Sequence, residues 1–240
     1  MTARIALCAL AVLVPVTARG AAIAIDVGHY LARPGATSAR GVPEFEYNLT
    51  LARDMAHALQ ARGHDVTMIG DDGLAADLYR RSPRAAGRDL LISVHHDSVH
   101  AEYMSRWLYE DASLRYSDMQ AGYSLFVSRR NPQLARSLAC ASAMGASMQR
   151  AGFVPSRYHA DPVVGEARPY ADEDGGVHYY DNLVVLHTAT VPAVLFEAGV
   201  LVNRHEELAM RDAAVRSRMA RSVADAVDGC LATSGRQNGR

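Results

Sequence analysis

The chain contains no lysine, and each of its 25 basic residues is arginine. A lysine Schiff base and the lysine of a phosphate-binding loop are therefore excluded as catalytic devices. The 25 basic residues nearly balance 26 acidic ones, so no overall positive field exists to hold nucleic acid or an anionic membrane surface. Hydrophobic residues make up 49% of the 240 positions, which is enough to build the core of one globular domain.

Long hydrophobic runs are also missing. The longest apolar stretch, at residues 5–16, has 12 residues and is too short to span a hydrocarbon core of about 30 Å. It follows Arg4 and precedes small residues up to Ala21, which is the pattern of a secretory signal peptide. We therefore predict that residues 1–20 direct export to the periplasm or the extracellular space. No membrane span is expected once they are removed.

Cysteine is scarce, with three residues in the whole chain, and Cys8 lies within the predicted signal peptide. Cys140 and Cys230 remain, each in a segment with helical periodicity. Exported proteins retain disulfides, so these two residues could pair. Two separate buried thiols are the alternative, and the sequence leaves both open.

Short apolar runs alternate with amphipathic segments along the rest of the chain. This order predicts an α/β fold in three layers, with a mostly parallel twisted sheet of about six strands and helices on both faces. The domain is expected over residues 21–231, followed by a polar C-terminal tail at 232–240. The predicted strands are 21–26, 64–69, 89–95, 123–128, 182–186 and 192–197, and the predicted helices are 44–62, 74–86, 132–150 and 204–231.

Functional side chains of such a sheet gather where the strands end. His29 follows the first predicted strand, His95 ends the third and Glu197 ends the last. Glu46 lies in the first turn of the helix after the first strand, and a short loop returns it to the same edge. Two histidines and a carboxylate are a common catalytic zinc set that leaves a position for water, and a further carboxylate can take that water's proton. The pattern predicts one zinc ion per chain.

Four sequence blocks carry a family resemblance: IDVGH at 25–29, EYNL at 46–49, ISVHHD at 92–97 and VPAVLFEAGVLVN at 191–203. In order and spacing they resemble the blocks of the zinc-dependent N-acetylmuramoyl-L-alanine amidases of bacterial cell walls, over about residues 22–231. The resemblance implies hydrolysis of the amide between N-acetylmuramic acid and L-alanine of the peptidoglycan stem peptide. It also implies zinc ligands at His29, Glu46 and His95, and a catalytic carboxylate at Glu197.

The chain departs from the family pattern at two histidines. His96 stands where a small residue is usual, and His95 is preferred as the ligand because it keeps the register of its block. His187 stands where an arginine is common and is a candidate substrate contact. Asp26 is expected to orient His29 or to cap backbone groups as a supporting residue.

Two further segments are candidate walls of the site. Residues 152–181 are expected to be irregular and are too long for a simple connector. They could contact substrate through residues such as Glu166 and His178, cover the zinc in a resting state, or have no direct role. The aromatic residues of 99–120 could stack on saccharide, although packing against the domain on a helix is the favoured interpretation.

The expected partner is peptidoglycan or a muropeptide, and the sequence identifies no protein activator. A related zinc amidohydrolase or carboxypeptidase acting on a soluble amide or peptide is the nearer alternative function. A non-catalytic protein that binds the cell wall is the alternative of another class. The complete set of three ligands and Glu197 argues against the latter.

Overall fold

The computed structural model of the protein describes residues 20–237. That part of the chain forms nine strands and five α-helices. The strands are β1 (Ala22–Val27), β2 (Asp65–Ile69), β3 (Leu90–Asp97), β4 (Ser105–Tyr109), β5 (Ala112–Tyr116), β6 (Ser124–Val127), β7 (Tyr170–Asp172), β8 (Val177–Tyr179) and β9 (Ala193–Val200). The helices are α1 (Glu44–Gln60), α2 (Leu134–Arg150), α3 (Val184–His187), α4 (Glu206–Arg211) and α5 (Ala213–Gln237).

Seven strands form the central sheet in the order β2-β1-β3-β9-β6-β8-β7. The pairs β1–β2, β1–β3, β3–β9 and β6–β8 are parallel, whereas β6–β9 and β7–β8 are antiparallel. The strands β1, β3 and β9 are buried along nearly their whole length, as expected of strands covered on both faces. The predicted α/β fold class is confirmed, with seven strands where about six were expected.

The two faces of the sheet are covered by different elements. One face packs on α1, α2 and α5 and forms the larger core, to which Ile25, Val94 and Phe196 contribute. The other face packs on α3 and on residues that precede β3, and its smaller core includes Leu91 and Leu195. Because side chains alternate along each strand, every second residue of β1, β3 and β9 faces this smaller core.

Three predicted elements differ from the structure. Residues 182–186 were expected to form a strand, but Val184–His187 is the helix α3, which packs Val185 and Leu186 on the smaller core. Residues 74–86 contain the 3-10 helices Leu78–Arg80 and Ser82–Ala85 instead of an α-helix. Proline in this stretch lacks the backbone donor that a continuing α-helix needs.

The third difference lies in the predicted helix at 204–231. It is divided at Asp212 into α4 and α5, because the extended backbone of Asp212 interrupts the helix and its side chain accepts from the amide of Ala214. Helix α5 also continues to Gln237, into the stretch predicted as a tail.

The aromatic segment 99–120 forms a hairpin of β4 and β5 that is separate from the central sheet. Trp107 donates its indole N–H to the carbonyl of Ala39 at 2.9 Å, and the guanidinium carbons of Arg40 and Arg204 lie 5.3 and 5.1 Å from its ring centroid. The aromatic side chains therefore pack against the domain as expected, but they do so from strands. Residues 152–181 likewise contain β7 and β8, where only irregular structure was predicted.

A disulfide joins Cys140 of α2 to Cys230 of α5, with the Cα atoms 5.0 Å apart. It closes a loop of 90 residues, which by the chain-entropy model stabilises the fold by roughly 4–5 kcal/mol. The sequence left open whether these cysteines form a disulfide or remain two separate thiols, and in the structure they form the disulfide.

The predicted signal peptide falls almost wholly within residues 1–19, which lie outside the described residues. Among the helices that are described, none combines the length and the apolar character needed to cross a membrane.

Candidate active site

The loop after β1, the start of α1 and the end of β3 bring together His29, Glu44 and His95. His29 Nε2 lies 3.0 Å from Glu44 Oε2, and His95 Nδ1 lies 3.2 Å from Glu44 Oε1. One donor atom from each of the three residues can be chosen so that all lie within 4.8 Å of one another. We call these three residues the His-Glu-His cluster.

The glutamate of this cluster is Glu44, whereas the sequence predicted Glu46. Glu46 is exposed on α1 and lines a surface depression together with Thr50 and Arg211. A shift of two residues along an α-helix turns a side chain by about 200°, so the two glutamates face nearly opposite directions. The prediction for Glu46 is corrected on this ground.

Glu44 is buried, and its carboxylate accepts hydrogen bonds from several directions. The amide of Ala36 donates to Oε2 at 3.0 Å, and Asn48 Nδ2 donates to Oε1 at 3.0 Å. Burial by itself would raise the pKa of Glu44, but the hydrogen bonds and charges of His29 and His95 outweigh it and hold that pKa well below its usual value. The cluster therefore contains an ionised carboxylate, and Ala36 and Asn48, which lie outside the cluster, hold its orientation.

His29 has an unusual backbone conformation, with φ at 65°. This region is uncommon for residues other than glycine, so surrounding contacts must hold it. The buried guanidinium of Arg81 does so by donating to the His29 carbonyl and, at 2.8 Å, to Asp26 Oδ1. Asp26 also accepts from Ser93 Oγ at 2.7 Å. Asp26 thus supports the backbone of His29 through Arg81 and not through the imidazole.

Two glycines allow the cluster to pack closely. A Cβ atom on Gly28 would lie 2.4 Å from the His95 ring, and one on Gly35 would lie 2.3 Å from Glu44 Oε2. Gly35 also has φ at +84°. A side chain at either position would displace a member of the His-Glu-His cluster.

His95, and not its neighbour His96, lies in the cluster. His96 is buried on the other face, where its Nδ1 lies 2.8 Å from Asn48 Oδ1. Asn48 Nδ2 faces two acceptors, the Gly28 carbonyl and Glu44 Oε1, so its amide orientation is determined and His96 Nδ1 must be the donor. Burial lowers the pKa of His96 to about 3 and keeps it neutral.

Glu197 lies beside the cluster because of strand register. On β9 it is paired with His95 of β3, and on the other side it is paired with Ser124 of β6. Side chains at paired positions point to the same face, so the three form a row across the sheet. Among the described residues, Glu197 Oε2 and Ser124 Oγ are both buried without a hydrogen-bond partner. The sequence did not single out Ser124, whose place in this row depends on the β6–β9 register.

The carboxyl of Glu197 is held in an environment that favours its protonated form. Burial raises its pKa well above the usual value, and repulsion from Asp97, Glu44 and Glu166 raises it further. A carboxyl whose pKa is raised in this way is suited to act as a general acid or a general base.

A groove of about 250 Å³ opens beside His29 and His95. Its walls are mainly aliphatic and come from the start of α3, from the 3-10 helix Leu78–Arg80 and from β9, and they include Leu78, Leu183 and Val184. Among the supporting residues that the sequence proposed, Asp26 lines this groove, whereas His187, His178 and Glu166 do not. His187 lies at the end of α3, with its buried Nδ1 unpaired.

Glu166 and His178 belong to a separate group on the far side of Glu197, in which His159 and His178 are buried and Glu166 is exposed. His159 lies between two carboxylates, with its Nε2 2.6 Å from Asp97 Oδ2 and its Nδ1 2.9 Å from Glu166 Oε2. These contacts outweigh burial and raise the pKa of His159 to about 9. His178 stacks on Tyr170 at 4.4 Å, and burial lowers its pKa to about 4. The 152–181 segment is thus anchored to the end of β3 through Asp97.

The donor set of the His-Glu-His cluster fits a zinc ion. Two imidazoles and a carboxylate are typical ligands of catalytic zinc, for which bonds of roughly 2.0–2.2 Å place neighbouring donors about 3.3 Å apart. The imidazole nitrogens lie 3.0 and 3.2 Å from different oxygens of Glu44, and one donor atom from each residue lies within 4.8 Å of the other two, so the three residues are close enough to share one ion. Glycine at positions 28 and 35 leaves the room that the cluster needs.

Three solved amidase structures have a fold similar to that of this chain. The N-acetylmuramyl-L-alanine amidase Ami1 from Mycobacterium smegmatis matches with a TM-score of 0.71 at 19% sequence identity, covering 89% of this chain and 98% of that one. The apo form of Ami1 from Mycobacterium abscessus matches with a TM-score of 0.70 at 20% identity, covering 89% and 100%. The catalytic domain of CwlV, an N-acetylmuramoyl-L-alanine amidase from Bacillus (Paenibacillus) polymyxa var. colistinus, matches with a TM-score of 0.66 at 24% identity, covering 88% and 98%.

A search of curated protein sequences finds no match. The family model described as N-acetylmuramoyl-L-alanine amidase, by contrast, matches residues 23–229, which include nearly all of the described domain. The chain therefore belongs to the N-acetylmuramoyl-L-alanine amidase family.

Proposed function

We propose that the protein is an exported, zinc-dependent enzyme that hydrolyses the amide between N-acetylmuramic acid and L-alanine of the stem peptide in peptidoglycan. The observation that carries the proposal is the pairing of Glu197 with His95 across neighbouring strands. It sets a buried carboxyl of raised pKa beside a cluster whose donors suit zinc, in a chain of the amidase family.

His29, Glu44 and His95 would hold one zinc ion per chain. When bound, zinc supplies Lewis acidity that polarises an amide carbonyl and makes a water molecule more acidic. Arg81 fixes the backbone of His29, and Asn48 and Ala36 fix the carboxylate of Glu44, so the ligands need little rearrangement. Such support from outside the ligand set is what orients ligands in metal sites.

Glu197 is assigned the proton transfers. Its carboxylate takes a proton from the attacking water, and the resulting carboxylic acid gives it to the leaving nitrogen of L-alanine, which departs as the free amine. The neighbouring carboxylates that raise its pKa make proton uptake favourable. The groove beside His29 is the place where the stem peptide would lie.

Export is supported by the signal-like sequence at the N-terminus and by the disulfide between Cys140 and Cys230, a bond typical of oxidising compartments. N-terminal sequencing of the protein recovered outside the cytoplasm is expected to begin between about residues 19 and 22. A chain that keeps Met1 and stays in the cytoplasm contradicts this part of the proposal.

Mass spectrometry of purified peptidoglycan after digestion with the zinc-loaded protein tests the reaction. An amidase releases whole stem peptides with a free L-alanine amino group and leaves glycan without peptides. A carboxypeptidase only shortens the stems, and a wall-binding protein releases nothing. The matched variant is Glu197→Gln, which keeps size and zinc binding but cannot take up a proton, so hydrolysis is expected to fall about 100-fold or more. Loss of zinc from this variant would contradict the assigned role.

A further inference from the structure

The groove beside the His-Glu-His cluster contains two arginines in different states. Arg81 is buried, and its guanidinium is occupied by Asp26 and by the carbonyls of Val27, His29 and Ala75. Arg33 also lines the groove but is exposed, and its guanidinium forms no hydrogen bond or ion pair within the described part of the chain. Arg33 therefore supplies an uncompensated positive charge to this groove.

Arg33 is presented by a loop that is held at several points. The backbones of Tyr30 and Arg33 bond in both directions, at 3.3 and 2.9 Å, and close a tight turn directly after His29. Leu31 donates to the carbonyl of Gly73 at 3.0 Å, and Phe45 of α1 donates to the carbonyl of Pro34 at 2.9 Å. The chain on both sides of Arg33 is thus tied to the turn after β2 and to α1, between two members of the cluster.

Apart from His29 and His95 of the cluster and from Tyr30, the rest of the groove offers little to a charged ligand. Leu78, Leu183, Val184 and Leu195 supply aliphatic walls, and the carboxylate of Asp26 is already neutralised by Arg81. A carboxylate that enters such surroundings loses hydration and needs a cation with free donors. The planar guanidinium of arginine is suited to a carboxylate because it can bond both of its oxygens.

We propose that Arg33 forms a carboxylate subsite of this groove, which binds the free α-carboxyl of the D-glutamyl residue next to the L-alanine of the stem peptide. The aliphatic walls then receive the small apolar side chains of the peptide. The proposal rests on the amidase function proposed above and makes it more specific, because it selects stems in which this carboxyl is not amidated.

The test uses two muramyl tripeptides that are identical except that the α-carboxyl of D-glutamate is free in one and amidated in the other. Hydrolysis by the zinc-loaded protein is measured for both, and calorimetry measures binding of the two corresponding free tripeptides. The wild-type protein is expected to favour the free acid by about tenfold in KM and in Kd, the scale of one charge-assisted hydrogen bond. Arg33→Ala removes the preference, and Arg33→Lys retains part of it because lysine supplies charge without the planar fork.

The control is Arg53→Ala, which removes an exposed arginine of α1 that does not line the groove and is expected to keep the preference. Equal hydrolysis of acid and amide by the wild type, unchanged in Arg33→Ala, overturns the subsite and leaves the amidase function intact. Arg33-dependent binding of the free acid without hydrolysis of either substrate supports the subsite and overturns the proposed function. If neither binding nor hydrolysis is observed, both the subsite and the proposed function are overturned.

Discussion

The two sides of the candidate site differ in how their buried polar groups are satisfied. On the ligand side, formed by β1, the start of α1 and Arg81, the polar side chains bond one another: Asp26 with Arg81 and Ser93, and Glu44 with Asn48. On the carboxylate side, formed by β9, β6 and β8, four buried atoms have no hydrogen-bond partner within residues 20–237: Glu197 Oε2, Ser124 Oγ and both ring nitrogens of His178.

This difference indicates that the ligand side and the carboxylate side have different functions. Buried polar groups are nearly always hydrogen-bonded, so several unpaired ones in one region mark a functional place. The protein itself completes the ligand side, as the proposed zinc site requires. The carboxylate side keeps capacity for groups that arrive during the reaction, namely water and the amide. Four measurements test the comparison.

The largest effect is expected on the ligand side, for Arg81→Met. This change leaves the buried carboxylate of Asp26 without its cation and frees the carbonyls of Val27 and His29. Breaking a buried ion pair by removing one partner costs about 3–5 kcal/mol, so urea denaturation should show a loss of unfolding free energy of that size. The double variant Asp26→Asn with Arg81→Met should recover part of the loss. If Arg81→Met is as stable as the wild type, the ligand side does not depend on this pair.

A second prediction concerns a hydrogen-bonded network beside Glu197, in which His159 faces Asp97, Glu166 and His178, and Arg168 pairs with Glu166. Because the pKa of His159 is raised from 6.5 to about 9, its stabilising effect is complete below pH 6.5 and is lost as the pH rises through 9. A shift of this size corresponds to about 3 kcal/mol.

Unfolding free energies at pH 6 and pH 9 measure this effect. The difference between the two pH values should be larger in the wild type than in His159→Gln, which cannot titrate. An equal difference in both proteins means that His159 is not charged in the folded state.

The third prediction separates the two glutamates of α1. Glu44→Gln removes a charged donor of the cluster and should weaken zinc binding by about 100-fold or more, because losing a residue that only supports a ligand already costs about 10–100-fold. Glu46→Gln changes an exposed side chain and should leave zinc binding as it is. Competition for zinc with a chelator of known affinity compares the two variants. If Glu46→Gln weakens zinc binding and Glu44→Gln does not, Glu46 is the ligand.

The smallest expected change in stability comes from replacing either of two buried serines on one face of the sheet. Ser93→Ala removes a hydrogen bond to the buried Asp26 and should cost about 1–3 kcal/mol of unfolding free energy. Ser124→Ala removes a hydroxyl that has no partner and should change stability by less than about 0.5 kcal/mol. Thermal unfolding under matched conditions measures both. Equal losses of unfolding free energy at the two positions mean that buried polar groups are hydrogen-bonded to the same extent on both sides of the site.

Helical periodicity contained a signal for the correct glutamate. Glu46 repeats with Thr50, Arg53 and His57, which are polar and exposed, whereas Glu44 repeats with Asn48, Leu51 and Met55 on the buried side. The phase of the apolar residues therefore places Glu44 toward the sheet. Resemblance to the block EYNL led to the residue on the exposed face instead.

Other features of the site have no counterpart in local sequence. The positive φ of His29 depends on Arg81, which follows it by 52 residues, and the row of His95, Glu197 and Ser124 depends on two strand pairings. Helix α3 was predicted as a strand because a short apolar run suits either conformation, and packing on the smaller core decides between them.

The sequence by itself determined the fold class, the edge of the sheet where chemistry is possible, and the residue types available there, because hydrophobic periodicity and strand ends are local properties of the chain. Tertiary structure decided which glutamate meets the two histidines, which buried groups remain unpaired and whether the cysteines pair. Those outcomes depend on strand register and on helix packing between segments far apart in the chain, where local propensity has no influence.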